Sequence, residues 1–210
     1  MKRLVTFGCS LTQGQHLEKD NEHSKLAWPF LLGQKLNLPV INKGRNGSSV
    51  KRIWWDIVNF KFDKSDVVVI LWTHFDRWCV INEHGDEDWD IPFDDSDQDY
   101  NDTTDIQNRM INKQSEAWYK YFHKEYDMTQ NAFLHINHAD LYLKNKVKHV
   151  FHLKASEPDR VADFNETQFL KTNIDEIRNH FPKATDNWHP GIEFQQEYAS
   201  KIKEEIETYI

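Results

Sequence analysis

The sequence is poor in cysteine, in glycine and proline, and in long apolar runs, and each shortage argues against a class of protein. Two cysteines, Cys9 and Cys79, are too few for a disulfide scaffold, so we expect free thiols. Seven glycines and six prolines among 210 residues, with 39% apolar residues, argue against wholesale disorder. No window approaches the roughly 20 apolar residues of a membrane span, and the run Leu4 to Phe7 is too short for a signal-peptide core. We therefore expect a soluble, cytoplasmic protein without a membrane span.

Positive charge is also in short supply. The chain has 26 Lys and Arg against 34 Asp and Glu, a formal net charge of -8. Because binding to phosphate backbones needs a basic surface, this balance argues against a nucleic-acid partner. The length suits one domain with a sizeable core.

Apolar patterns predict an α/β fold. The first five elements alternate strand, helix, strand, helix, strand, which implies parallel strands joined by right-handed crossovers. The predicted strands cover 3–7, 39–42, 67–72 and 148–153, and the predicted helices cover 26–36, 48–60, 169–181 and 192–210. The continuous run Val67 to Trp72 is typical of a central strand covered on both faces. We expect a fifth strand between Glu157 and Thr185, without a definite position.

The segment from about 82 to 146 interrupts this rhythm. Its first part is acidic, with nine aspartates between Asp86 and Asp105, and follows no regular pattern. It lacks the glycine and the final glutamate of an EF-hand loop, which argues against a calcium site of that kind. Its second part, from Gln107 to Asn145, has a helical pattern. We interpret the chain as a single domain, 1–210, with an insertion at about 82–146.

Two short motifs near the ends of the chain carry the chemistry. Ser10 follows the first strand in the run Gly8-Cys9-Ser10-Leu11-Thr12, and Asp186 and His189 lie in Asp186-Asn187-Trp188-His189-Pro190. A serine hydroxyl becomes a useful nucleophile only when a base takes its proton, and histidine suits that task. A carboxylate on the other ring nitrogen then holds the tautomer. Together these residues form a candidate nucleophile, base and orienting acid.

These blocks resemble the SGNH (GDSL-type) hydrolase family. The first family block, Gly-Asp-Ser-Leu, is similar to Gly8-Cys9-Ser10-Leu11, and the last, Asp-x-x-His-Pro, is matched by Asp186 to Pro190. An Asn-x-x-x-x-Gly block is similar to the stretch Asn42 to Gly47. The resemblance implies a flavodoxin-like three-layer α/β/α sandwich with a central parallel sheet. It also implies an esterase with Ser10 as nucleophile, His189 as base and Asp186 as orienting acid.

The resemblance also implies an oxyanion hole, with one departure. The backbone N–H groups of Ser10 and Gly47 correspond to two of its donors. The third donor of the family is an Asn after the third strand, but this chain has no Asn between Trp72 and Arg77. His74 lies in that stretch and is the candidate replacement. Because one such donor is worth about 10²–10³ in rate, an enzyme without a replacement would be slow.

Other assignments remain open. Cys9 is an alternative nucleophile for His189, although the family pattern favours Ser10. Arg77 can bind an anionic group of the substrate or pair with the acidic insertion, and Asn46 is a further candidate for substrate contact. The pairs His135 with His138 and His149 with His152 lack a metal-binding pattern. We therefore expect no metal ion and no cofactor.

The family default is a small-molecule substrate, a short-chain acyl ester, including acetyl groups on carbohydrates. Two other functions stay open: a non-catalytic binding or structural protein on the same scaffold, and an acyltransferase that passes the acyl group to an alcohol. Hydrolysis in water without an acceptor would separate the esterase from both. The sequence does not indicate an oligomeric state.

Overall fold

The structure is a computed structural model that describes residues 1–18, 23–75, 77–81, 87–91, 117–118, 120–155 and 167–210. In chain order the strands are β1 (Leu4–Gly8), β2 (Val40–Gly44), β3 (Val67–Trp72), β4 (Trp78–Ile81), β5 (Glu87–Ile91) and β6 (His149–Lys154). The helices are α1 (Ser10–Gln13), α2 (Trp28–Leu36), α3 (Val50–Val58), α4 (Glu125–Lys144), α5 (Ile174–Arg178) and α6 (Ile192–Ile206).

Four parallel strands form the central sheet, in the order β2-β1-β3-β6. The chain runs from β1 to β2 on one side and then crosses to β3 on the other side of β1. In open parallel sheets, ligands bind beyond the carboxyl ends of the strands where the order reverses in this way. The end of β1 at Gly8, two residues before Ser10, therefore lies at this reversal.

Helices cover both faces of the sheet, because the side chains of the central strands are apolar on both faces. Every residue of β1 and β3 is buried. One face packs against α3 and α4 through residues such as Phe7, Ile53 and Phe133. The other packs against α2 and α6 through residues such as Leu4, Trp28 and Phe194. This arrangement confirms the predicted three-layer α/β/α sandwich with its parallel sheet.

Most predicted elements agree with the structure to within a few residues. The β-branched run Val67 to Trp72 is β3, as predicted, and Ser49 caps α3 by accepting a hydrogen bond from the Arg52 backbone N–H at 3.1 Å. α1 was not predicted, since four residues are too few to show a period. The last predicted helix ends earlier than expected, at Ile206.

The predicted helix over 169–181 is wrong in its first part. Phe169 instead forms an isolated parallel bridge with His152 of β6, and the Leu170 backbone N–H donates to the His152 carbonyl at 2.8 Å. The regular helix begins only at Ile174. This bridge lies in the interval where a fifth strand was expected. Pairing with the edge of β6 therefore overrides the helical spacing of these residues.

The segment treated as an insertion contains regular structure. β4 and β5 form an antiparallel pair. Part of the acidic stretch is therefore a strand, although its sequence follows no regular pattern. α4 is the crossover helix between β3 and β6, and its residues Phe133, Ile136 and Leu143 belong to the main core. Residues 92–116 lie outside the described residues, including the aspartates Asp94 to Asp105. Among the described residues, no helix is long and apolar enough to cross a membrane.

Candidate active site

The nucleophile candidate is held at the junction of β1 and α1. Ser10 is the first residue of α1, and the backbone N–H groups of Thr12 and Gln13 both donate to the Cys9 carbonyl at 3.0 Å. α1 lies directly on the end of β2. A Cβ atom on Gly44 would lie 2.4 Å from the Gln13 backbone nitrogen, so only glycine allows this approach.

Asn42 links this turn to the sheet. Its Nδ2 donates to the Thr12 carbonyl at 2.6 Å, and its Oδ1 accepts from the Gly44 backbone N–H at 2.8 Å. Thr6 of β1 also donates to that Oδ1, at 3.3 Å. The asparagine of the second block is therefore a clamp that holds α1 against β1 and β2.

The second motif forms a tight turn before α6. The Asn187 backbone N–H donates to the Ala184 carbonyl at 3.0 Å, and Asn187 has a φ of 58°, in the left-handed region that Asn tolerates. Asp186 Oδ1 accepts from the backbone N–H groups of Trp188 and His189, each at 3.0 Å. The carboxylate thus organises the turn that carries the histidine.

The structure brings Ser10, Asp186 and His189 together. His189 Nδ1 lies 2.5 Å from Asp186 Oδ2, and His189 Nε2 lies 2.9 Å from Ser10 Oγ. Because a carboxylate only accepts, Nδ1 carries the ring proton and Nε2 is free to accept from the serine hydroxyl. The side chains of His189 and Asp186 are 23% and 20% exposed, whereas Ser10 is buried.

Asp186 is held in its charged form. Burial raises the pKa of this carboxyl, but hydrogen bonds from His189 and from the backbone N–H groups of Trp188 and His189 outweigh burial. Together they lower the pKa to about 2 from 3.8. The acid is therefore ionised at neutral pH, as the orienting partner of a histidine base needs to be.

Two of the three predicted oxyanion residues, Gly47 and His74, lie in loops. Gly47, with a φ of 72°, is in the loop after β2. This loop is tied to the β1–α1 region, since the Arg45 backbone N–H donates to the Gly8 carbonyl at 3.0 Å and the Asn46 backbone N–H donates to Gln13 Oε1 at 2.7 Å. His74 is exposed in the loop after β3. The roles of Gly47 and His74 stay predictions.

The other candidates have different surroundings. The hydroxyl of Ser10 contacts the imidazole of His189, whereas Cys9 is buried as the N-cap residue of α1, which favours serine as the candidate nucleophile. Arg77 donates to Thr73 Oγ1 at 3.2 Å, and Asn46 is exposed beside α1. Their contacts with substrate stay predictions.

Sequence reasoning missed His16. Its Nε2 lies 3.7 Å from Asp186 Oδ2, and its ring centroid lies 5.4 Å from that of His189. Its carbonyl accepts from the Thr185 hydroxyl at 3.0 Å, which anchors the turn of Asp186 to His189. No local pattern marks this histidine, because its neighbours lie about 170 residues away along the chain.

Three solved structures share the fold of this chain. A member of the lipolytic protein G-D-S-L family from Veillonella parvula DSM 2008 is 11% identical, with all of both chains covered and a TM-score of 0.55. A carbohydrate acetylesterase family member from Sinorhizobium meliloti is 11% identical, with 99% of this chain and 98% of that chain covered and a TM-score of 0.52. A catalytic mutant of an acetylxylan esterase from Geobacillus stearothermophilus is 16% identical, with 97% and 93% covered and a TM-score of 0.52.

These likenesses show an SGNH-type hydrolase fold and confirm the fold that the motifs implied. Neither a protein-family model nor a curated protein sequence matches the chain. At such low identity the neighbours show the fold alone. Any functional assignment therefore depends on the geometry of Ser10, Asp186 and His189, which is suited to nucleophilic attack on an acyl group.

Proposed function

We propose that this chain is a serine esterase that hydrolyses short-chain acyl esters through Ser10, His189 and Asp186. The observation that carries the proposal is the continuous line of hydrogen bonds from Ser10 Oγ through the imidazole of His189 to Asp186 Oδ2, at 2.9 Å and 2.5 Å. The residues come from opposite ends of the chain and meet at the reversal point of the sheet. The SGNH-type fold supports the same chemistry.

In the proposed mechanism, Ser10 Oγ attacks the ester carbonyl carbon while His189 Nε2 takes the hydroxyl proton. Asp186 stabilises the imidazolium that forms. The tetrahedral intermediate collapses when the C–O bond to the alcohol breaks and His189 returns the proton to the departing alkoxide. Water then attacks the acyl-enzyme, with the same histidine as base, which releases the acid and restores the serine.

The negative charge on the carbonyl oxygen needs donors. We assign the backbone N–H groups of Ser10 and Gly47 to this role, with His74 as the third donor in place of the missing asparagine. The ties between the loop of Gly47 and the β1–α1 region support the first pair. Fixed donors of this kind cost no reorganisation when the charge develops.

A carbohydrate acetate is the substrate class that we favour. Trp188 lies between Asp186 and His189 in the sequence, and it is 57% exposed. Arg178 Nη2 donates a hydrogen bond to the Trp188 carbonyl at 3.1 Å. An exposed indole at the rim of the site offers a flat apolar face to a sugar ring. Two of the structural neighbours are a carbohydrate acetylesterase family member and an acetylxylan esterase. Two clefts in the described part of the chain, of about 580 and 410 Å³, border α2 and contain none of the three catalytic candidates.

Hydrolysis of p-nitrophenyl acetate and butyrate, without an added acceptor alcohol, tests the reaction. We expect acetate to be the better substrate, and Ser10→Ala to lose the activity, while Cys9→Ala keeps it. A fluorophosphonate probe followed by peptide mass analysis should label Ser10 in the parent protein. Equal hydrolysis by the parent and Ser10→Ala, or labelling at another residue, would contradict the mechanism.

The preference for sugars can be measured separately. In Trp188→Ala we expect KM for an acetylated xylo-oligosaccharide to rise about two- to thirteenfold, because loss of one stacking contact is worth about 0.5–1.5 kcal/mol. KM for p-nitrophenyl acetate, which has no sugar ring, should rise less. Phe122→Ala, at another exposed aromatic (67% exposed), is the matched control. Equal changes in KM for both substrates would argue against a stacking role.

A further inference from the structure

His16 lies beside Asp186 and His189, and the three side chains form a group of a kind that binds metal ions. One donor atom from each of His16, Asp186 and His189 lies within 4.8 Å of the others. Two imidazoles and one carboxylate form a donor set that suits Zn²⁺ and its first-row neighbours, whereas Mg²⁺ and Ca²⁺ prefer oxygen. This group differs from the pairs His135 with His138 and His149 with His152, because it combines two histidines with a carboxylate.

The distances are close to those that a zinc ion needs. Zn²⁺ lies about 2.0–2.2 Å from its ligands in a tetrahedral site, so neighbouring donor atoms are about 3.3 Å apart. His16 Nε2 and Asp186 Oδ2 are 3.7 Å apart. His189 Nδ1 and Asp186 Oδ2, at 2.5 Å, must separate by about 0.8 Å to meet this spacing. The three donor atoms lie within 4.8 Å of one another, so the His16 and His189 donors must approach by at most about 1.5 Å to share one ion.

His16 is held in place for this contact. Its φ of 62° lies in the left-handed region that few residues other than glycine adopt. The Thr185 hydroxyl and backbone N–H both donate to its carbonyl, at 3.0 and 3.4 Å. The side chain of His16 is 36% exposed, so an ion can reach the group from solvent.

We propose that His16, Asp186 and His189 bind a Zn²⁺-class transition-metal ion that reversibly inhibits the esterase. The ion replaces the proton between His189 Nδ1 and Asp186. The imidazole stays neutral because its single proton moves from Nδ1 to Nε2. Nε2 then donates to Ser10 and cannot take the hydroxyl proton, so the base is lost. The inhibition depends on the proposed function, whereas the metal binding does not.

Calorimetric titration of tag-free protein with ZnCl₂ tests the binding apart from catalysis. The titration uses, as its background, the Ser10→Ala variant, which we expect to be inactive. The substitution leaves the three proposed metal ligands in place. His16→Asn removes the third ligand, and Asn tolerates the left-handed backbone at this position. We expect that variant to lose one equivalent of zinc or to bind it at least about tenfold more weakly. His180→Asn, at an exposed histidine outside the cluster, should match the background. Equal zinc binding with and without His16 would overturn the proposal.

Inhibition is measured with p-nitrophenyl acetate, each variant being compared with its own rate in EDTA. Zn²⁺ should inhibit the parent reversibly, and His16→Asn should need at least about tenfold more Zn²⁺. Mg²⁺ at the same concentration should not inhibit. If the parent hydrolyses the ester at the same rate with and without Zn²⁺, the proposed inhibition is contradicted. A parent without hydrolysis would contradict the proposed function alone, and calorimetry would still decide the site.

Discussion

At the scale of single residues, Asp186 uses its two carboxylate oxygens for different tasks. Oδ1 binds the backbone N–H groups that shape the turn, and Oδ2 binds the imidazole of His189. One side chain therefore fixes both the conformation of the turn and the orientation of the imidazole. An amide at this position can still accept at Oδ1, but its NH₂ group faces His189 Nδ1 and favours the wrong tautomer.

For Asp186→Asn we expect kcat to fall by about 10⁴-fold while the far-UV circular dichroism spectrum is unchanged. The reason is the lost orientation and charge, not unfolding. Steady-state hydrolysis of p-nitrophenyl acetate measures the change. Asp63→Asn, at a 63% exposed carboxylate, is the matched control and should keep the parent rate. Full activity of Asp186→Asn would rule out the assigned triad.

His74 is the second prediction at this scale. If it supplies the third oxyanion donor, His74→Ala should lower kcat by about 10²–10³-fold with a small change in KM, because the contact forms only in the transition state. His180→Ala is the matched control, since that histidine is also exposed. A His74→Ala enzyme with the parent kcat would remove His74 from the site and leave Ser10 and Gly47 as the donors.

At the scale of elements, the position of Ser10 depends on close contact between α1 and β2. α1 has only four residues, so its own hydrogen bonds do not stabilise it, and neighbouring elements must hold it. Asn42 and Gly44 supply that support from β2. The loop after β2, which carries Gly47, is tied to the same region. The end of β2 thus positions the candidate nucleophile and the proposed oxyanion donor together.

For Gly44→Ala we expect both stability and activity to fall. The new methyl group would lie 2.4 Å from the Gln13 backbone nitrogen and 2.6 Å from the Thr12 carbonyl carbon, so α1 must move. We expect a loss of about 1–3 kcal/mol in the free energy of unfolding and at least a tenfold loss in kcat. Urea denaturation and ester hydrolysis measure the two effects.

Gly33→Ala is the matched control, which separates general steric strain from displacement of Ser10. Gly33 lies inside α2, away from α1, and its new methyl group would overlap the Val40 side chain of β2. We expect this variant to lose stability and to keep its kcat. Equal losses of kcat in both variants would show that the activity of Gly44→Ala follows general destabilisation and not the position of Ser10.

At the scale of the whole molecule, a buried polar network joins the helix layer to the sheet. Trp72 Nε1 donates to His152 Nδ1 at 3.0 Å, and His152 Nε2 donates to Asp140 Oδ1 at 3.1 Å. Lys144 Nζ lies 2.6 Å from Asp140 Oδ2. Burial raises the pKa of Asp140, but the hydrogen bonds from His152 and Lys144 outweigh burial, and the pKa lies below 3.8. The network thus ties β3, β6 and α4 together through a charged carboxylate.

For Asp140→Asn we expect a loss of about 1–3 kcal/mol in the free energy of unfolding at neutral pH, because the amide keeps one acceptor for His152 but loses the charge and turns an NH₂ group toward Lys144. Folding lowers the pKa of Asp140, so the ionised group stabilises the protein above the unfolded-state pKa. That contribution is lost as the pH falls below about 4. The variant should therefore show a shallower loss of stability on acidification.

Urea denaturation between neutral pH and about pH 3 measures this slope. Asp127→Asn is the matched control, since Asp127 is an exposed carboxylate on the same helix and should change stability by less than about 1 kcal/mol. A parallel pH dependence in Asp140→Asn and the parent would contradict the role assigned to the network.

Local patterns were enough for much of the fold. Val67 to Trp72 form β3 because a continuous β-branched run suits a strand buried on both faces, and Ser49 caps α3 because its side chain meets an unpaired N–H group. Phe169 shows the limit. Its helical spacing is local, but its bridge to His152 depends on where β6 ends. Pairing between distant strands cannot be read from spacing alone.

The sequence by itself determined the parallel α/β architecture, through strand and helix patterns, and it selected Ser10, Asp186 and His189 as the candidate triad, through motifs of a few residues. Only the tertiary structure decided that Ser10 and His189 meet, 179 residues apart, at 2.9 Å. It also decided that His16 lies beside Asp186. The physical reason is that burial and turn chemistry act between near neighbours in the chain, whereas the contacts of the site form only when the sheet brings its strand ends and the C-terminal turn to one edge.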